Sequence, residues 1–161
     1  MQPEFKFSPE RKLVGKRLTM TFSDNKTGEL WRSFMPHRKE ILNTLGDDLY
    51  SLQVYDPSMH FTEFDLNKPF QKWAAAEVSD FYSIPAGMEA FTLPEGLYAV
   101  FHYKGSASSG ADAFRYIFRQ WLPDSGYHLD IRPHFEILGK KYKNDDPESE
   151  EEIWIPVTPA H

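Results

Sequence analysis

The chain has no cysteine in its 161 residues. That absence excludes disulfides and thiolate metal centres, so the fold has to be held by its core, and a chain of this length can bury enough surface to do so. It also suits a reducing compartment, and a cytoplasmic location is expected. Long apolar runs are missing: nothing approaches the roughly 18 apolar residues of a membrane-spanning helix, and the opening MQPEFKFSPERK lacks the apolar stretch of a signal peptide. No membrane association is expected. An excess of positive charge is missing too. Lys and Arg number 18 against 24 Asp and Glu, for a formal net charge of -6, which argues against a surface built to neutralise phosphates and so against direct nucleic-acid binding. Gly-rich phosphate loops, nucleophile elbows and paired-histidine zinc motifs are absent, and no cofactor is expected. His102, His128 and His134 show no metal-like convergence, and the acidic run 145–152 lacks EF-hand spacing and reads as a solvated loop.

What the chain has in quantity is aromatic residues: 13 Phe, 8 Tyr and 4 Trp, or 16% of the sequence. They fall into an ordered pattern. KLVGKRLTMTF (12–22) reads as a strand closed by the turn-forming SDNKTG. In TGELWRSFMPHRKEI, Leu30, Trp31, Phe34 and Met35 recur at helical spacing, Thr27 is a candidate cap, and Pro36 limits the helix. DLYSLQVYD (48–56) and FQKWAAAEVSD (70–80) then read as strands. The second half repeats the order. A short strand in EAFTL, a turn at Pro94 and Gly96, and a strong strand over 97–103 lead to SGADAFRYIFRQWL, where Phe114, Ile117, Phe118, Trp121 and Leu122 mark a helix that stops at PDSGY. RPHFEILGKKY (132–142) and EEIWIPV (151–157) close the chain as strands. The two halves, 12–81 and 89–158, match element for element, which predicts one domain over 1–161 built from duplicated strand-helix-strand-strand units. The expected fold class is α+β, an antiparallel sheet with two helices on one face and a ligand cleft between the halves.

One residue is out of place in this scheme. Glu136 sits in an apolar strand, and a buried carboxylate is costly unless something pairs with it. Strand alternation puts Glu136 with His134 and Leu138 on one face and Phe135 with Ile137 on the other. If the apolar pair meets the helices, Glu136 faces an open groove. In the last strand Glu152 and Trp154 share a side, and the same reasoning collects acids and an aromatic on that open face. A ring attracts a cation through its quadrupole, and a partly desolvated carboxylate adds a charged contact, so such a face selects a flat, lipophilic cation. The plainer alternative is a solvated Glu136 paired with Lys140 or Arg132. Trp31 and Phe34 fit a helix core by spacing; Trp73, beside three alanines, fits pocket wall and core equally. Phe114, Phe118 and Trp121 share one helical face and read as core, while Tyr103 either reaches the cleft or ends a strand.

GLYAVFHYKG, YIFRQWLPDSGY, RPHFEIL and EIWIPV, in that order and spacing, resemble the GyrI-like small-molecule binding family, the effector-binding domain of AraC-type and multidrug-sensing regulators. The resemblance covers the whole chain and is most specific over 96–157. It implies two pseudo-symmetric halves around an aromatic cleft in which a glutamate at the position of Glu136 meets lipophilic, often cationic, ligands. It implies contributions from Trp154 and Glu152 on the last strand, and keeps Trp31 as a candidate near the start of the first helix. Many relatives carry a DNA-binding helix-turn-helix module for which no room is expected here, so the resemblance implies a stand-alone binder. Free-standing members include drug-binding proteins, a gyrase-inhibitory protein and hydrolases of cyclopropane-bearing toxins. A hydrolase would use Glu136 as general base with Tyr103 orienting the electrophile; a gyrase-interacting protein would use its acidic surface.

Overall fold

A computed structural model of the chain describes residues 1–57, 66–106, 110–143 and 146–160. The elements run β1 (Glu4–Ser8), β2 (Arg11–Met20), α1 (Thr27–Phe34), β3 (Thr44–Val54), β4 (Phe70–Val78), β5 (Glu89–Leu93), β6 (Gly96–Lys104), α2 (Gly110–Tyr116), α3 (Leu122–Asp124), β7 (Tyr127–Leu129), β8 (His134–Leu138) and β9 (Glu150–Pro159). Pro36 acts as the sequence suggests: α1 passes at Met35 into a tighter 3-10 turn that ends at Glu40. Between α2 and α3 the helix widens into a π turn over Ile117–Trp121.

All strands pair antiparallel in the order β1-β6-β9-β8-β3-β4-β2-β5, with β7 added to β9. The order is symmetric about the β8·β3 contact, and each half is completed by a strand from the other: β1 joins β6, and β5 joins β2. The sequence reading assigned no strand to residues 4–8 or 127–129. These short segments, β1 and β7, hold only five and three residues.

β1 closes the sheet on itself. Ser8 stands opposite Gly96 and Arg11 opposite Leu93, so the β1·β6 and β2·β5 ladders share one register with only residues 9–10 and 94–95 between them. Pro9 and Pro94 occupy those links and have no N–H to donate, which ends one ladder and lets the chain bend into the next. The sheet therefore curls until its two ends meet, and it has two buried faces.

The inner face is filled by the sheet's own side chains: Leu13, Tyr50, Leu52, Trp73, Leu93, Tyr98, Phe135 and Trp154 form one buried cluster. Phe135 stacks on Trp154 at 5.1 Å and meets Tyr98 edge-on at 5.1 Å. Arg11 lies over the Tyr50 and Trp154 rings and pairs with Glu77 at 3.1 Å. The outer face carries the helices. α1 packs Leu30 and Phe34 onto Val14, Ala74, Ala76 and Val78, and the helix after β6 packs Ile117 and Phe118 onto Ala99, Phe101, Ile153 and Ile155. Crowding explains the glycine at position 15 of β2: a Cβ there would stand 2.0 Å from the Ala74 carbonyl oxygen.

Candidate functional site

The helices cover the flanks of the outer face, α1 over β2 and β4, α2 over β6 and β9. The two central strands, β3 and β8, lie between them. At their centre the outward residues are Ser51, Gln53, His134 and Glu136, all buried and polar, with the apolar Leu49 and Leu138 beyond them against the α1 cluster, while the inward residues Tyr50, Leu52 and Phe135 belong to the inner cluster. Ladder pairing confirms the side: Glu136 stands opposite Ser51 on β3 and Ile153 on β9, and Ile153 belongs to the α2 cluster. Glu136 and its polar neighbours therefore lie on the helix face of the sheet. The expectation that Phe135 and Ile137 meet the helices is reversed. Alternation separates the two sets correctly, but in a sheet that curls on itself the apolar set goes to the closed interior.

Glu136 is 8% exposed. Gln53 Nε2 donates to its Oε1 at 3.3 Å, and its Oε2 has no hydrogen-bond partner. Burial pushes its carboxyl up to about 7; Lys72 pulls it down, the Glu151 charge pushes it up, and the Gln53 hydrogen bond pulls it down. Glu151, on the helix face of β9, is also raised, by burial against the opposing pull of Lys72. His134 is pushed down to about 3 by burial, so its ring is neutral at physiological pH. Neither alternative partner reaches the acid. Arg132 pairs with Asp130 at 3.1 Å, donates to the Leu97 and Val157 carbonyls and lies 4.6 Å from the Tyr98 ring centre; Lys140 forms no ion pair with Glu136.

A row of rings runs past this carboxyl. Phe118 of the π turn lies 5.9 Å from His134, His134 meets Tyr55 edge-on at 5.0 Å, Tyr55 lies 5.2 Å from Phe70, and Phe70 lies 4.9 Å from Phe22. A shallow depression of about 330 Å³ opens beside Tyr55 and Phe70. Burial raises the Tyr55 phenol far above its ordinary range, and the Glu136 charge adds to that rise. Gln53, Tyr55, Lys72, Glu151 and His134 were missed as site residues. A signal was present for part of the set: Ser51 and Gln53 alternate with Tyr50, Leu52 and Val54, in the same polar-apolar rhythm as His134 and Glu136 with Phe135 and Ile137.

The sequence-predicted site residues separate into two groups. Tyr103 shares the helix face with Glu136, opposite Glu151 in the β6·β9 ladder, and its hydroxyl donates to the Ser106 carbonyl at 2.8 Å. Trp31 lies at the edge of the α1 cluster, perpendicular to Phe34 at 5.8 Å. Trp73 and Trp154 are inner-face residues, 3% and 5% exposed, and Glu152 accepts a 3.0 Å bond from the Trp154 indole. The expected gathering of Glu136, Glu152 and Trp154 on one open face does not occur: the sheet lies between Glu136 and the other two. Glu150, Glu151 and Glu152, read as part of an acidic loop, begin β9 instead. Asp145 of that loop lies outside the described residues.

A curled antiparallel sheet with two helices over one face and a buried acid between them defines a small-molecule binding architecture. The chain belongs to the GyrI-like family: the GyrI-like small molecule binding domain matches residues 1–158. In sequence it is 27% identical over 151 residues to the transcriptional regulator BrlR of Pseudomonas aeruginosa, covering 92% of this chain and 53% of that one, so it spans about half the regulator's length. In structure it resembles SAV2435 bound to tetraphenylphosphonium, with a TM-score of 0.74, 16% identity and coverage of 98% of this chain and 94% of that one. It also resembles the EcmrR C-terminal domain, with a TM-score of 0.70, 22% identity and coverage of 99% and 98%. A hydrolase encoded by lin2189 from Listeria innocua has a TM-score of 0.60 at 14% identity, over 98% of this chain and 92% of that one. These structural likenesses show the fold. Among the described residues no helix is long and apolar enough to cross a membrane.

Proposed function

We propose that this protein captures lipophilic cations on the helix face of its sheet, with Glu136 as the charged contact and the row of rings from Phe118 to Phe22 as the apolar one. The observation that carries this reading is the state of Glu136: a buried carboxyl with one oxygen unpartnered and its proton held up to about pH 7. Such a group is costly when charged, and a desolvated cation placed against it relieves that cost. Aromatic faces add roughly 0.5–2 kcal/mol each to a bound cation while rejecting strongly hydrated ions. The fold of SAV2435, which is bound to tetraphenylphosphonium, supports the ligand class. Tyr103 and Trp31 are proposed as peripheral contacts. Trp73, Trp154 and Glu152 are proposed as structural residues of the inner face.

The test compares tetraphenylphosphonium with neutral triphenylphosphine oxide by calorimetry at pH 8. Glu136→Gln is expected to weaken the cation at least tenfold, about 1.4 kcal/mol, and the neutral compound less than twofold. Equal losses for both would remove the charge contact from the reading.

A hydrolytic reading has one observation in its favour. A carboxyl that titrates near 7 is suited to act as a general base at neutral pH; Tyr103, proposed to orient the electrophile, would first have to leave its bond to the Ser106 carbonyl. Turnover of a strained electrophile such as a cyclopropane, abolished by Glu136→Gln, would support it. Shielding of gyrase rests on the acidic net charge alone, and a ligand-independent complex with gyrase would be its test.

A further inference from the structure

Lys72 stands out among the groups around the cleft because it has no contact that explains it. It is partly buried on the helix face of β4, opposite Gln53, the residue that bonds Glu136. Among the described residues it enters no ion pair within 4.0 Å. Glu151, two residues before the Ile153 that pairs with Glu136, enters none either, and Glu136 Oε2 is unpartnered. Three charged groups thus share one face of the sheet without touching. A lysine closed onto one of the acids would form an ion pair with it; Lys72 forms none with either.

We propose that Lys72 is a tethered counter-charge that sets the valence of the ligand, making the cleft selective for monocations over dications. This rests on the proposed cation site at Glu136 and names which cations it takes. With both carboxyls ionised and Lys72 protonated, the three groups carry a net charge of -1, which one positive charge neutralises. A second ligand charge would stand in a partly desolvated cleft beside the Lys72 ammonium, and like charges there repel strongly. Among the described residues, the other charged groups at this end of the site, Asp56 and Lys68, pair with each other at 3.9 Å and are neutral in sum. His134 of β8 is neutral, Ser51 and Gln53 of β3 carry no charge, and Lys16 of β2 is engaged at 3.0 Å with Ser33 of α1. The direction in which Lys72 displaces the titration of Glu136 and Glu151, downwards for both, agrees with a field that reaches each of them.

The test uses the full chain at pH 8.5, above the titration of Glu136, with tetraphenylphosphonium as the monocation and dequalinium as the dication. Lys72→Met keeps the apolar stem and removes the charge. It is expected to raise dequalinium affinity at least tenfold more than tetraphenylphosphonium affinity, while Lys72→Arg keeps the wild-type ratio. A ratio within twofold of wild type in Lys72→Met overturns the inference. Lys72→Gln serves as the second variant if the methionine form fails to fold. A ligand-free readout separates this inference from the one beneath it: the Glu136 side-chain carbon, followed by NMR, should titrate at higher pH in Lys72→Met. An unmoved midpoint overturns the role of Lys72. A raised midpoint in a protein that binds neither cation overturns the cation site and leaves the coupling standing.

Discussion

Gln53 donates a 3.3 Å hydrogen bond to Oε1 of Glu136, and the second oxygen of that buried carboxyl receives none. Gln53 also donates to Ser51 Oγ at 3.3 Å, so its two amide hydrogens are divided between the hydroxyl and the acid, and the acid receives one neutral hydrogen bond. Glu136 is bonded through one oxygen, and the other is buried without a partner. The arrangement suits a group that waits for a positive partner, and it makes ligand binding and proton release a single event.

Affinity for a monocation should therefore rise with pH and level off near 7. Below that value the carboxyl is protonated in the free protein, and binding has to expel the proton, so affinity should fall about tenfold per pH unit. Calorimetry in buffers of different ionisation enthalpy should detect close to one proton released at pH 5.5 and almost none at 8.5. A flat affinity profile across this range would show that another group carries the charge contact.

Stability should move the opposite way. The folded state holds the Glu136 proton up to about 7, against 4.5 for the ordinary group. The contribution is complete below 4.5, declines as pH rises and is gone above 7, a change of roughly 3 kcal/mol at most. His134, pushed from 6.5 down to about 3, contributes in the reverse sense: fully above 6.5, with loss as pH falls. Urea unfolding of wild type and Glu136→Gln should show the variant gaining on wild type between pH 5 and 8. Parallel curves would contradict a buried, protonated acid.

Gly15 should tolerate no side chain. Its Cβ would meet the Ala74 carbonyl oxygen at 2.0 Å and the Ala75 Cα at 2.6 Å, both backbone atoms of the paired strand. Gly15→Ala is expected to cost about 3 kcal/mol or to prevent folding. Gly87→Ala makes a useful contrast, since its Cβ would meet nothing within 4 Å and the cost comes only from a φ of 82°. Thermal melts of the two variants should differ clearly, with Gly15→Ala the lower.

Tryptophan replacements should separate the two faces. Trp73 and Trp154 point into the closed interior, away from Glu136. Trp73→Phe and Trp154→Phe should lower stability, the latter also losing the bond to Glu152, while affinity for tetraphenylphosphonium stays within about twofold of wild type. Replacement of a ring of the outer-face row, Tyr55→Leu, should weaken that cation about tenfold, in keeping with one lost aromatic contact. Cation binding that collapses in Trp154→Phe would move the site to the inner face.

The amino-acid pattern by itself determined a good deal: the α+β class, two helices near Leu30–Phe34 and Phe114–Phe118, most of the strands, and the parity that separates Glu136 from Phe135. Those features come from local periodicity, which short-range sterics impose on any chain. Only the tertiary structure decided which side each parity class occupies. Alternation states that His134 and Glu136 share a face; it does not state whether helices or the opposite wall of the sheet cover the other face. That choice follows from closure, in which β1, unmarked in the sequence, continues the register of β2·β5 onto β6 across Pro9 and Pro94. Closure makes the inner face the better apolar environment, draws in Phe135, Trp73 and Trp154, and leaves Glu136 between the helices. Lys72 and Glu151 reach the same place from strands far apart in the chain, and no spacing rule along the sequence could have joined them.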